Sequence, residues 1–249
     1  MTTTRRIVVL ISGSGTNLQA LIDAQNTPQL PDTRITLVIS NRKAAYGLIR
    51  AQQSSPPIPT AYLALQPYLK ANPGKTRDDY DAEVAKIVLK EDPDLVVLAG
   101  WMHVFGDGFL DLMYSVTTEE DPEKTTSGGI TRVPIPVINL HPALPGAFDG
   151  TNAIQRAYEA FQKGEIKNSG VMVHKVVKAV DRGEPLIVRE VPIEGGEPLE
   201  SFEERLHRVE HEVIVEATKK MLDMVKPVQV SFCELCVMLK NFIDSSCPR

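Results

Sequence analysis

Two stretches of this chain, Ile7-Val8-Val9-Leu10-Ile11 and Leu95-Val96-Val97-Leu98, are apolar at every consecutive position. A strand with one wet face alternates apolar and polar side chains, so an unbroken apolar run marks a strand covered on both faces. Such strands belong to a largely parallel sheet with helices layered above and below it. The rest of the chain keeps that rhythm. Short β-branched runs at 6–11, 35–40, 59–63, 95–99, 136–139, 170–176 and 186–191 alternate with longer amphipathic segments at 16–26, 44–53, 77–91, 108–114, 153–163 and 199–225. In the last of these, Phe202, Leu206, Val209, Val213 and Ala217 recur at steps of three or four, as on a helix packed along a sheet. The expected fold is therefore α/β: a single doubly wound, mostly parallel sheet with helices on both faces. Residues 54–59, rich in proline, and 117–136, crowded with acidic residues, Gly and Pro, read as loops.

Charge and apolar content narrow the function classes. With 27 Lys and Arg against 32 Asp and Glu, the net charge is −5, which argues against a broad nucleic-acid surface and leaves any anionic ligand to be held locally. No apolar run approaches the roughly 18 residues that span a bilayer, and 7–11 is too short for a secretory leader. The expectation is a cytoplasmic protein without nucleic-acid or membrane partners. Cys233, Cys236 and Cys247 all fall in the tail, so no disulfide framework supports the body. They are one short of a Cys₄ zinc site, and no histidine follows to complete it, so no metal is expected.

Ser12-Gly13-Ser14-Gly15-Thr16-Asn17 leaves a buried strand and opens a helix. Glycines let the backbone turn sharply and approach a ligand, and the free N–H groups at the helix start suit a phosphate. The dinucleotide fingerprint would need a glycine where Leu18 stands and an acidic residue after the second strand, where Ser40-Asn41 stands; no P-loop lysine follows either. The pattern fits a monophosphate better than NAD or ATP. It equally allows a tight turn without a ligand.

The fifth strand runs into Asn139-Leu140-His141-Pro142. Ligands of doubly wound sheets bind beyond the carboxyl ends of the strands, and Asn139 and His141, two apart, point the same way from an extended segment. An imidazole moves protons near neutral pH and an amide can donate to a developing oxyanion, so the pair suits attack on a carbonyl group, although a loop-capping histidine would read the same. No serine or cysteine nucleophile sits in a recognisable elbow, which favours direct transfer without a covalent enzyme intermediate. Asp181, in Asp181-Arg182-Gly183, reads first as a turn former; folded beside His141, it would stabilise the imidazolium.

Ile11-Ser12-Gly13-Ser14-Gly15-Thr16-Asn17-Leu18-Gln19-Ala20, Arg77-Asp78-Asp79-Tyr80-Asp81, the run Asp94 to Met102, Asn139-Leu140-His141-Pro142 and Asp181, taken in this order, resemble the phosphoribosylglycinamide formyltransferases, in their single-function fungal form. The resemblance implies transfer of a formyl group from 10-formyltetrahydrofolate, as cosubstrate, to the amine of glycinamide ribonucleotide in purine biosynthesis. It implies that Asn139, His141 and Asp181 are catalytic and that Gly15, Thr16, Asn17 and Glu210 hold the ribonucleotide. It places Arg77, Met102, His103, Val104, Phe105 and Asn139 at the folate site, together with the loop of Val177, Lys178, Ala179, Val180 and Asp181. By the same resemblance His207 stands where bacterial members have glutamine, and 117–136 is an insertion. Read from its own helix alone, Glu210 is a solvated carboxylate.

The interleaved motifs make residues 1–225 one catalytic domain and 226–249 a tail without an assigned role. Its partners would be the two small-molecule substrates, with oligomerisation left open. Within folate chemistry the rivals are formyltetrahydrofolate hydrolysis, which needs no phosphate site, and formylation of initiator methionyl-tRNA, which needs an RNA-binding domain that the short tail does not supply. A non-catalytic nucleotide-binding module is the rival from another class.

Overall fold

The computed structural model describes residues 4–115 and 134–227. The thiols of the tail and most of the 117–136 loop lie outside the described residues. Seven strands form one sheet: β1 (Arg5–Ile11), β2 (Thr33–Ser40), β3 (Thr60–Tyr62), β4 (Leu95–Leu98), β5 (Val137–His141), β6 (Asn168–Lys175) and β7 (Pro185–Pro192), in the order β3-β2-β1-β4-β5-β6-β7. The pairs from β3 across to β5 are parallel. The pairs β5–β6 and β6–β7 are antiparallel, so β6 alone runs against the other strands; for β6–β7 the link 176–184 is shorter than the dozen or so residues a parallel crossover needs.

The unbroken apolar runs divide between two cores, as burial on both faces requires. Ile7, Val9, Ile11, Leu95 and Val97 pack under α1 (Thr16–Ala24) and the long α7 (Leu199–Val225). Val8, Leu10, Val96 and Leu98 pack against Tyr80 and Val84 of α4 (Arg77–Leu89) and Phe109 of α5 (Asp107–Tyr114). The other helices are α2 (Tyr46–Gln53), α3 (Leu65–Ala71) and α6 (Ala153–Gln162). Helix α3 is an addition to the sequence reading. Its Pro67 discourages a helix assignment, yet it sits in the first turn, where a backbone N–H has no intrahelical partner to lose. A capping box, Thr76 with Asp79, starts α4 and sets Arg77 as its first residue.

The two ends of the described body are tied together. The Arg5 guanidinium is buried and meets Asp223 Oδ1 of α7 at 2.6 Å. Lys226 Nζ donates to Thr4 O at 3.0 Å and to Asp94 Oδ2 at 2.9 Å.

Gly15, at the start of α1, has φ +71°, and a Cβ there would lie 2.6 Å from Gly47 Cα of α2. Neither partner is a flexible side chain, so the contact cannot relax cheaply. Gly15→Ala should therefore cost at least about 2 kcal/mol, from left-handed strain plus overpacking. Urea unfolding at unchanged m-value is the measurement; a midpoint equal to that of the parent would contradict it.

Candidate active site

On β5 the side chains alternate across the sheet: Ile138 and Leu140 enter the core beneath α7, leaving Asn139 and His141 together on the other face. His141 is buried. Its Nδ1 lies 3.5 Å from Asp181 Oδ2 and its Nε2 3.4 Å from Ala147 O. Asn139 Nδ2 donates to Asp181 Oδ1 at 3.3 Å. The turn after β6 thus folds back over β5 and joins the three residues of the expected catalytic set.

A fourth member was absent from that set. His174 of β6 stands opposite Asn139 in the antiparallel register and is buried. Its Nδ1 is 2.9 Å from Lys175 O, and its Nε2 faces Asn139 Nδ2 at 3.2 Å and Asp181 Oδ1 at 3.4 Å. The only sequence signal was a histidine inside an apolar strand, and its meaning depends on strand register. Burial pushes the Asp181 carboxyl up, but the hydrogen bond with His174, the Gly150 N–H at 2.9 Å and the charges of His141 and His174 outweigh it and hold the group below its usual range. The result is a carboxylate that stays ionised beside two imidazoles.

At one end of the cleft, the glycine turn joins the tips of three strands. Ser12 Oγ donates to Asn41 Oδ1 and accepts the Met102 N–H, both at 2.7 Å. No side chain caps α1, so the N–H groups of its first turn are free for an anion. Asn17 Nδ2 donates to Glu210 Oε2 at 3.0 Å. Glu210 is only 4% exposed, a correction to its reading as a solvated residue. The spacing Leu206-Glu210-Ile214, four residues apart along the buried stripe of α7, was the available signal. Burial pushes its carboxyl up, opposed by the Asn17 hydrogen bond and the charge of His207. Arg42, beyond β2, also lines the cleft, and its guanidinium has no ion-pair or hydrogen-bond partner among the described residues. It too was missed, because one arginine after a strand carries no pattern.

At the other end, residues 101–105 alternate. Met102 and Val104 are 60% and 48% exposed to the cleft side, while Trp101, His103 and Phe105 turn inward. His103 Nε2 meets the fully buried Asp81 Oδ1 at 2.6 Å, and Asp81 Oδ2 accepts the Gly106 N–H at 2.8 Å. The Phe105 ring stacks on Phe109 with centroids 3.8 Å apart. His103 and Phe105 border the cleft, but their rings serve the packing of α4 and α5. Arg77 donates to Val104 O, fixing the segment's outer edge. Across the opening stand Val177 and Val180. Their neighbours Lys178 and Ala179 do not border the cleft: Lys178 Nζ instead pairs with Asp107 at 2.8 Å.

One cleft of about 870 Å³ connects these parts, from the glycine turn and Thr16 past Asn139 and His141 to Val104 and Val177. No cluster of His, Cys, Asp or Glu suited to a metal occurs among the described residues.

Comparison with known proteins adds an independent line. A family model described as formyl transferase matches residues 5–116 and 126–218. The chain is 47% identical over 218 residues to the phosphoribosylglycinamide formyltransferase of Schizosaccharomyces pombe, covering 87% of this chain and 96% of that one. It is 45% identical over 231 residues to that of Saccharomyces cerevisiae, covering 88% and 98%. Among solved structures, glycinamide ribonucleotide transformylase 1 from Symbiobacterium toebii superposes with a TM-score of 0.68 at 32% identity, covering 87% of this chain and 86% of that one.

Proposed function

The chain belongs to the formyl transferase family, and within it to the phosphoribosylglycinamide formyltransferases; from that premise we propose that it moves a formyl group from 10-formyltetrahydrofolate to the amine of glycinamide ribonucleotide. The observation that carries this reading is the position of Asn139, His141, Asp181 and His174 midway along one cleft, between an uncapped helix start and an apolar slot. The helix start, Gly15 and Thr16 suit a phosphate, and Glu210 and Asn17 offer polar groups to a sugar. Met102, Val104, Val177 and Val180 present large apolar side chains at the opposite end, as a flat heteroaromatic ring requires. The donor set therefore fits the folate.

The bound folate supplies the formyl carbon. His141, protonated, and Asn139 donate hydrogen bonds to the formyl oxygen as negative charge develops there. Asn139 has the freedom to do so, because its 3.3 Å bond to Asp181 is long and exchanges readily for a better acceptor. Asp181 orients the His141 ring from 3.5 Å and, through water, takes the proton that the amine gives up as its nitrogen bonds to carbon. That proton is returned to the folate nitrogen as the original carbon–nitrogen bond breaks. These residues run from the glycine turn to Glu210, which makes 1–225 the catalytic unit in this reading.

The direct test is formyl transfer by the purified chain with both substrates. Transfer dependent on the ribonucleotide supports the reading, whereas formate release at the same rate without it supports a hydrolase. Arg42 would pair with the phosphate, a charge-assisted contact of about 1.5–3 kcal/mol. Arg42→Ala should raise the KM for the ribonucleotide about ten- to a hundredfold with kcat little changed; an unchanged KM removes Arg42 from the site.

A further inference from the structure

We propose that the ion pair between Asp149 and Arg182 is a latch that holds the Asp181 turn against the segment following His141, making both residues positioning residues for formyl transfer. Two segments meet here, 142–152 after β5 and 176–184 after β6, and neighbouring residues join them. Gly150 N donates to Asp181 Oδ2 at 2.9 Å, and one residue along on each side Arg182 Nη2 meets Asp149 Oδ2 at 2.6 Å.

Asp181 has φ +52°, and in the facing segment Phe148 and Asn152 also take positive φ. At such non-glycine positions the backbone persists only where its surroundings enforce it. Arg156 of α6 supports the facing segment, donating to Asp149 O at 2.9 Å, whereas the Asp181 turn has its tie through Arg182. Asp149 Oδ1 is buried without a hydrogen-bond partner among the described residues, so its carboxylate relies on Arg182, whose one ion pair among those residues is this one. The latch also sits where displacement costs most. His141 Nδ1 and Asp181 Oδ2 are already 3.5 Å apart, at the limit of a useful contact, so a small retreat of the turn separates them.

The inference rests on the formyl-transfer reading, and its test has one readout that does not. Arg182→Gln and Asp149→Asn should each lower kcat about tenfold, as a displaced catalytic group does, with both KM values within about twofold, and Arg182→Lys should restore most of the loss. The Asp181 carboxyl is faced by the titratable groups His141 from β5 and His174 from β6, and by the Gly150 N–H from the facing turn. Followed by carbon-13 NMR in the unliganded chain, it should titrate about one unit higher in both variants as the Gly150 N–H and His141 withdraw. Circular dichroism should show the parent's helix content. If both variants keep the parent's Asp181 titration, the latch is overturned, whether or not the chain transfers formyl groups. A fall in kcat that Arg182→Lys shares in full, with the titration unmoved, overturns it as well. If the titration moves in both variants but the parent transfers no formyl group, the latch stands and the functional reading fails.

Discussion

Formyl transfer in His141→Ala is expected to run about two to three orders of magnitude slower than in the parent chain, and Asn139→Ala should fall in the same range, the usual cost of one missing oxyanion donor. The loss should appear in kcat, since neither side chain is needed to hold the phosphate at α1 or the ring beside Met102. In the proposed mechanism Asn139, His141 and Asp181 act on one group of atoms, so their losses should not add, and the Asn139→Ala/His141→Ala double variant should be little worse than the poorer single one. Single-turnover rates at saturating substrates make the comparison. Rates within threefold of the parent in both single variants would remove the pair from the mechanism.

Asp181→Asn carries the second large effect. The amide keeps the shape and loses the negative charge that faces the His141 and His174 rings, so turnover should fall by about two to four orders of magnitude. Its pH behaviour is distinctive. Burial alone would raise the Asp181 pKa, but the bonds from His174 and Gly150 and the histidine charges reverse this and leave it depressed. A carboxyl whose folded pKa is depressed contributes stability above its unfolded pKa, near 3.9, and that contribution disappears as pH falls through the folded value. The parent should keep the activity that depends on this carboxylate down to the depressed folded value, with the linked stability declining only below about pH 4. In Asp181→Asn that linked loss should vanish from acid unfolding curves. An acid midpoint that shifts by the same amount in the parent and the variant on adding salt, with no difference in slope, would show that Asp181 is not the linked group.

Strand existence was legible because the signal is local. The runs at Ile7–Ile11 and Leu95–Leu98 need cover on both faces wherever they lie, and the seven anticipated strands all form. Helix α3 escaped because Pro67 is judged by type until its place in the first turn is known. The antiparallel pairing of β7 with β6 reflects a link too short to cross the sheet, a property of connection length rather than of strand composition.

The site divides in the same way. Asn139 and His141 share one strand, so their spacing alone sets them side by side, whereas His174 gains its meaning only through the register Asn139↔His174. Glu210 looked solvated when judged as a glutamate, and buried when judged as the fourth residue after Leu206. Lys178 and Ala179 were expected at the folate because the resemblance assigns the whole loop Val177 to Asp181 to it, but a loop turns each side chain separately, and Lys178 turns toward Asp107.

Asp223 of α7 and Lys226 just after it are fastened to Arg5, Thr4 and Asp94, at the amino ends of the parallel strands and so at the pole opposite the cleft. The points where the described body begins and ends therefore share one patch, away from the cleft. A surface anchor, an affinity handle or another enzyme grafted at either point would leave the mouth of the cleft facing solution. The same patch makes the described body, residues 4–227, a candidate for circular permutation: a short bridge could join Thr4 to the end of α7, with new ends opened in an exposed turn such as 72–75.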